Sequence, residues 1–269
     1  MTSIVVFIIF VVVQLIAGMC ALLFSNLDKL GTDLPIVQPT ATAAGIALLI
    51  FEGVFAFGLW MWFYRFERSV RQKSVDRPEL LGIFKFRPLK RELVEHTFKP
   101  FQLASAVCGT LLFALGLSGL FESLHLSDNG STALFEGMLH NPWCIVLLCV
   151  VGPVCEELVF RVGMLRSLYR NNVAGWLAAA ISAFAFAIVH GNLAQGLPAF
   201  IIGFILGLLY LRTGNLWLCL PAHIANNTLA VVLMSIGLAD DLSWWRAALM
   251  LFVSLPFLYN ALQPVKDKK

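Results

Sequence analysis

Val151–Leu165 reads VGPVCEELVFRVGML and sets two carboxylates and a guanidinium in a run otherwise apolar enough for a bilayer. A charge at the centre of a membrane helix costs roughly 2.5–3.5 kcal/mol on insertion scales, so three ionisable groups this close need compensation. Glu157 and Arg161 are i,i+4, about 40° apart on a helix, and can pair along one face. Glu156 projects about 100° away from Glu157. One carboxylate can thus be held by the arginine while the other stays free to move protons. The same trio also fits a buried ion pair that glues helices together. Pro153, one turn ahead, frees a backbone carbonyl and predicts a kink.

Two further segments place polar groups at helical spacing. SAFAFAIVHGN puts Phe186 and His190 one turn apart, and LPAHIANNTL does the same for His223 and Asn227, with Asn226 beside them. An imidazole N–H and a carboxamide N–H so spaced can both reach one developing oxyanion. A polar zipper between helices would use the same residues structurally. Glu52, in FEGVFAFGLW, is a further intramembrane carboxylate, expected to make an interhelical hydrogen bond. His96, His125 and His140 fall in loops and are read as solvated.

The elements that must carry these groups are membrane helices. The 269 residues are 59% hydrophobic and 13% charged, with a mean hydropathy of +0.83. No soluble domain of this length hides so much apolar surface. Eight hydrophobic segments span 4–24, 41–64, 101–121, 142–165, 173–190, 196–211, 216–236 and 244–262. The first lacks a basic leader and is too long for a cleaved signal. More than half of the 19 Lys and Arg lie in the 65–100 loop, from Arg65 to Lys99. With Arg166, Arg170, Arg212 and the Lys266–Lys269 tail, they all fall on one side of an eight-helix arrangement, so both termini are expected in the cytoplasm. An amphipathic surface helix is expected around Pro88–Phe98, drawn to anionic lipid. The net charge of +3 is a topology signal and not a nucleic-acid footprint. All six cysteines lie in apolar segments, without CxxC spacing, and are read as reduced. The expectation is one all-α polytopic domain, 1–269, with spans one to three in 1–121 and a core over 140–236.

Taken together, Glu156-Glu157-x-x-x-Arg161, Phe186-x-x-x-His190 and His223-x-x-x-Asn227 resemble the three motifs of the CAAX prenyl protease type II and bacteriocin-processing family, the CPBP or Abi intramembrane glutamate proteases. The resemblance covers about residues 140–236. It implies that Glu156 is the general base, that His190 helps it activate a water, and that His223 and Asn227 steady the oxyanion. Glu157, Arg161 and Phe186 would support them. It also implies a membrane-associated substrate, either prenylated CAAX proteins or peptides such as bacteriocins. The protein would sit in the cytoplasmic membrane of a bacterium or the endoplasmic reticulum of a eukaryote. The competing class is a membrane scaffold or immunity protein whose polar residues are structural.

No cofactor is expected. Zinc held by Glu156, His190 and His223 is the alternative, since two histidines and a glutamate form a known catalytic set. Against it, the H-E-x-x-H helix is absent and the three residues come from separate spans. A difficulty of depth remains. Seventeen residues of straight helix from Val173 lift His190 about 25 Å, whereas His223 is only a few residues into segment seven. An extended dip over Leu216–Pro221, with helix starting at Pro221, would lower His223 to meet it. Glu156 and both histidines should then line one polar cavity.

Overall fold

The computed structural model describes residues 3–29, 34–66, 93, 97–122, 124–238 and 243–263. The surface helix expected at Pro88–Phe98, His96 and the Lys266–Lys269 tail therefore fall largely or wholly outside the described residues. Every extended element described is helical: α1 (Ser3–Phe24), α2 (Ala41–Met61), α3 (Pro100–Glu122), α4 (Ser131–Met138), α5 (Pro142–Arg170), α6 (Gly175–Ile188), α7 (Leu193–Thr213), α8 (Leu216–Ser235) and α9 (Trp244–Ala261). Six of them, α1, α2, α3, α5, α7 and α8, are long and apolar enough to cross a membrane. The protein is an integral, multi-pass membrane protein. The eight spans expected from the sequence reduce to these six on length and composition, because α6 has only 14 residues and α9 is not among them.

Close packing depends on small residues in register. In the antiparallel α6–α7 hairpin, Gly203 faces Ala183 and Phe186, and Gly207 faces Ala179, the close approach that G-x-x-x-G spacing allows. In α3 and α9, also antiparallel, Gly109 receives Leu258 and Gly116 receives Leu251. Asn260 Nδ2 donates to Ser105 Oγ (2.8 Å) and Gln102 Nε2 to the Gln263 carbonyl (3.3 Å), so α9 lies along α3 over most of its length. The first helix packs on α2 and also on α5, where Gly163 makes room for Val6 and Phe10 meets Phe160 edge-on.

Where the sequence suggests a break at Pro153, α5 stays continuous. It instead widens twice, at Leu147–Val151 and Leu158–Leu165, where hydrogen bonds run from i to i−5, as from Gly152 N–H to the Leu147 carbonyl. A π-type turn ahead of Pro153 places the proline early in the next α turn, where its ring and missing N–H are tolerated.

The eighth helix also departs from expectation. It starts at Leu216 and carries Pro221 inside it. Gly214, at φ +64°, takes the left-handed turn that ends α7, and the Asn215 side chain accepts the Trp217 N–H (2.9 Å) as a helix cap. The cap outweighs the proline.

Candidate active site

Glu157 is fully buried, with its side chain 0% exposed. Its Oε2 faces Arg161 Nε at 3.2 Å, the ion pair expected from the i,i+4 spacing. Arg161 is itself buried. Its Nη2 donates to the Gly203 carbonyl (3.2 Å), and its guanidinium lies 5.2 Å over the Phe186 ring. A Cβ on Gly203 would meet Phe186 Cδ1 at 2.9 Å, so glycine there lets both the ring and the guanidinium approach α7.

The other oxygen of Glu157 accepts from His223. Nδ1 of His223 lies 2.8 Å from Glu157 Oε1, and a carboxylate can only accept, so the proton is on Nδ1. Nε2 of the same ring is 3.5 Å from Glu156 Oε2. His223 thus bridges the two neighbouring glutamates. Glu156 differs from Glu157 in being reachable, with 21% of its side chain exposed.

The histidines meet through an aromatic ring. Phe186 stands edge-on to His190 (4.9 Å between centroids) and to His223 (5.7 Å). His190 Nδ1 donates to the Phe186 carbonyl (2.8 Å), folding its ring back down the helix and leaving Nε2 as the basic nitrogen. The depth difficulty is therefore absorbed by α6, not by α8. The sixth helix is only about 21 Å long, and the His190 ring reaches back over Phe186, one turn below. Among the described residues His190 bonds neither glutamate.

Asn227 has a partner that the sequence does not announce. In the widened turn of α5, Gly152 N–H bonds the Leu147 carbonyl, and the next donor in that register would be Pro153, which has none. The Leu148 carbonyl is left over, and Asn227 Nδ2 donates to it (3.1 Å). One of the two amide hydrogens is thereby used, and one remains.

Glu156, Glu157, Arg161, Phe186, His190, His223 and Asn227 are therefore neighbours. A cleft of about 430 Å³ between α2, α5 and the start of α8 is lined by apolar residues including Ala56, Val154 and Leu220, and it touches the cluster at Glu157. Among its described lining residues there is neither Glu156 nor a histidine. No group of three His, Cys, Asp or Glu placed to hold a metal ion is found among the described residues. The free state of all six cysteines agrees with their reading as thiols.

Residues 138–229 match the family described as Type II CAAX prenyl endopeptidase Rce1-like, a stretch that holds every residue of this cluster. This stretch is similar to that family. A Bacillus subtilis (strain 168) protein named Putative membrane peptidase YdiL is 30% identical over 126 residues, which is 45% of this chain and 51% of that one. The chain thus spans about half the length of that relative. No solved structure matches it.

The structure ties three further residues to this site. Gln14, on α1, donates to Glu52 on α2, giving the interhelical hydrogen bond expected of that carboxylate. Gly152 and Gly203 shape the cluster by what they leave out. The signal for Gln14 was simply that it is the one polar side chain in the apolar stretch of α1, and intramembrane polar groups seek one another.

Proposed function

We propose that the protein is an intramembrane endopeptidase, in which Glu156 activates a water to hydrolyse a peptide bond. The observation that carries this is the position of His223 between Glu157 and Glu156. Nδ1–H, held by Glu157, keeps the ring oriented, and Nε2, beside Glu156, is the nitrogen left to serve the reaction. Glu156 takes a proton from water as the oxygen bonds to the carbonyl carbon. The His190 Nε2 lone pair receives the other water hydrogen as a hydrogen bond. His223 Nε2–H and the remaining Asn227 amide hydrogen stabilise the oxyanion. Glu156 then returns its proton to the leaving amine as the carbon–nitrogen bond breaks. Arg161 and Glu157 hold the frame and touch no reacting atom.

Substrates are membrane-associated proteins or peptides, prenylated CAAX chains or bacteriocin-like peptides, and no metal takes part. The family match supports the first, and the absence of a compact ligand set motivates the second. Eight spans with both termini cytoplasmic fit the basic loops, and α9, lying along α3, would be the eighth. The test is cleavage by purified protein in lipid of a prenylated CAAX peptide and of its unprenylated, membrane-anchored counterpart, read by mass spectrometry before and after exhaustive chelation. We expect cleavage of at least one, unchanged by chelation. Activity that is lost to chelator and restored by stoichiometric zinc would reverse the metal-free reading.

A further inference from the structure

Pro153 is buried inside α5, about one turn ahead of Glu156, and it has no backbone N–H to give. Its place in the helix decides which carbonyl is left without a backbone donor. The turn before it is widened, with Gly152 N–H on the Leu147 carbonyl. In that register residue 153 would serve the Leu148 carbonyl, and in an ordinary α register Gly152 would. Gly152 is committed to Leu147 and proline has no hydrogen, so the Leu148 carbonyl falls to a side chain. Asn227 Nδ2, from α8, donates to it at 3.1 Å. A carbonyl only accepts, so the carboxamide faces it with nitrogen. The oxygen of that carboxamide is held as well, by Asn226 Nδ2 at 3.4 Å. Gly152 suits the widened turn, since a Cβ there would stand 3.2 Å from the Leu147 carbonyl. Both ends of the Asn227 carboxamide are thus fixed, and the second amide hydrogen has one direction to point.

We propose that Pro153 is a positioning residue for hydrolysis: by withholding a backbone N–H it gives the Leu148 carbonyl to Asn227, which keeps the remaining amide hydrogen aimed at the oxyanion. Pro153 itself touches no reacting atom. The anchoring of Asn227 stands on the geometry, whereas its catalytic meaning rests on the peptidase reading. Any other residue at 153 restores a donor to Leu148 from within the helix. A carboxamide displaced from that anchor loses orientation, the property on which an oxyanion donor depends.

The experiment uses the full chain in lipid nanodiscs, with its asparagine side chains isotope-labelled for NMR. The amide pair lost in Asn227→Ala reports Asn227. Pro153→Ala supplies the missing N–H and a better helix former, so α5 should form as before. We expect it to speed hydrogen exchange of the Asn227 amide about fivefold, the weight of one hydrogen bond. An Asn227 amide unchanged in Pro153→Ala overturns the proposal. Should that variant fail to fold, Pro153→Val, which supplies the same N–H and fills the space of the ring, must speed the exchange instead, and no change there overturns it too. In a wild type that cleaves, Asn227→Ala should lower kcat about a hundredfold and Pro153→Ala about tenfold, both with KM unchanged. With both substitutions together, Pro153→Ala should add nothing, because its effect passes through a side chain already gone. A further loss in that double variant overturns the positioning role. A wild type that does not cleave contradicts the peptidase reading alone, and hydrogen exchange still decides whether Pro153 anchors Asn227.

Discussion

Glu156 and Glu157 are adjacent in the chain and could hardly differ more in surroundings. Glu157 is sealed, with Arg161 on one oxygen and His223 on the other. Glu156 is partly exposed, 3.5 Å from one imidazole nitrogen. The 100° step of a helix sends one glutamate into the protein and the other to its reachable side. A structural charge and a reactive one can thus be encoded side by side, with the first fixing the histidine that serves the second.

The comparison is broken most severely at the sealed side. Glu157→Gln leaves Arg161 buried without a counter-charge. Arg161 Nη1 already has no hydrogen-bond partner among the described residues, so little else compensates. Removing one partner of such a pair costs about 3–5 kcal/mol. We expect folded yield and thermal stability in detergent to collapse for Glu157→Gln, whereas Glu156→Gln folds as wild type. Equal yields for both would erase the distinction drawn between the two glutamates.

A smaller effect sharpens it. Gly203→Ala brings a methyl group to within 2.9 Å of Phe186 Cδ1, beside the carbonyl that binds Arg161. Overpacking of this kind costs about 1–3 kcal/mol. Since Phe186 touches both histidines, the variant should lower kcat in a protein that still folds. Gly18→Ala, where an added Cβ meets nothing within 4 Å, should change neither.

The smallest effect lies outside the membrane. Asp128 Oδ2 accepts from Thr132 N–H (2.9 Å) and Oδ1 from Gly130 N–H (3.0 Å), and hydrogen bonds from Thr132 and then Gly130 hold its carboxyl down at about 2. A folded value below the unfolded one stabilises the α4 cap above about pH 4, and that contribution is lost as pH falls toward 2. Carboxyl-carbon NMR should place the Asp128 midpoint near pH 2, and acid in that window should loosen α4 while leaving the Glu157 cluster intact. A midpoint near 4 would remove the cap.

What the sequence disclosed follows from periodicity. The Glu157–Arg161 pair is the clearest case, because i,i+4 neighbours still meet although the helix widens from Leu158. What it concealed depends on departures from that spacing. The widened turn before Pro153 shifts the hydrogen-bond register by one residue and leaves the Leu148 carbonyl for Asn227, which no 3.6-residue pattern discloses. The start of α8 was legible in Gly214-Asn215, but the proline at 221 pointed more loudly elsewhere. Gln14 and Glu52 are each visible as polar residues in apolar spans, though not as partners, because tertiary pairing of helices leaves no mark on local spacing.

The central claim is that Glu156 is the reacting carboxylate of a peptidase. It is tested most directly by comparing cleavage of a membrane-anchored peptide by wild type and by Glu156→Gln, both purified in lipid and matched for folded protein by their thermal transitions. The wild type should cleave, and Glu156→Gln should lose at least about a hundredfold in rate, as expected for a general base. Equal rates in the two proteins would contradict the account.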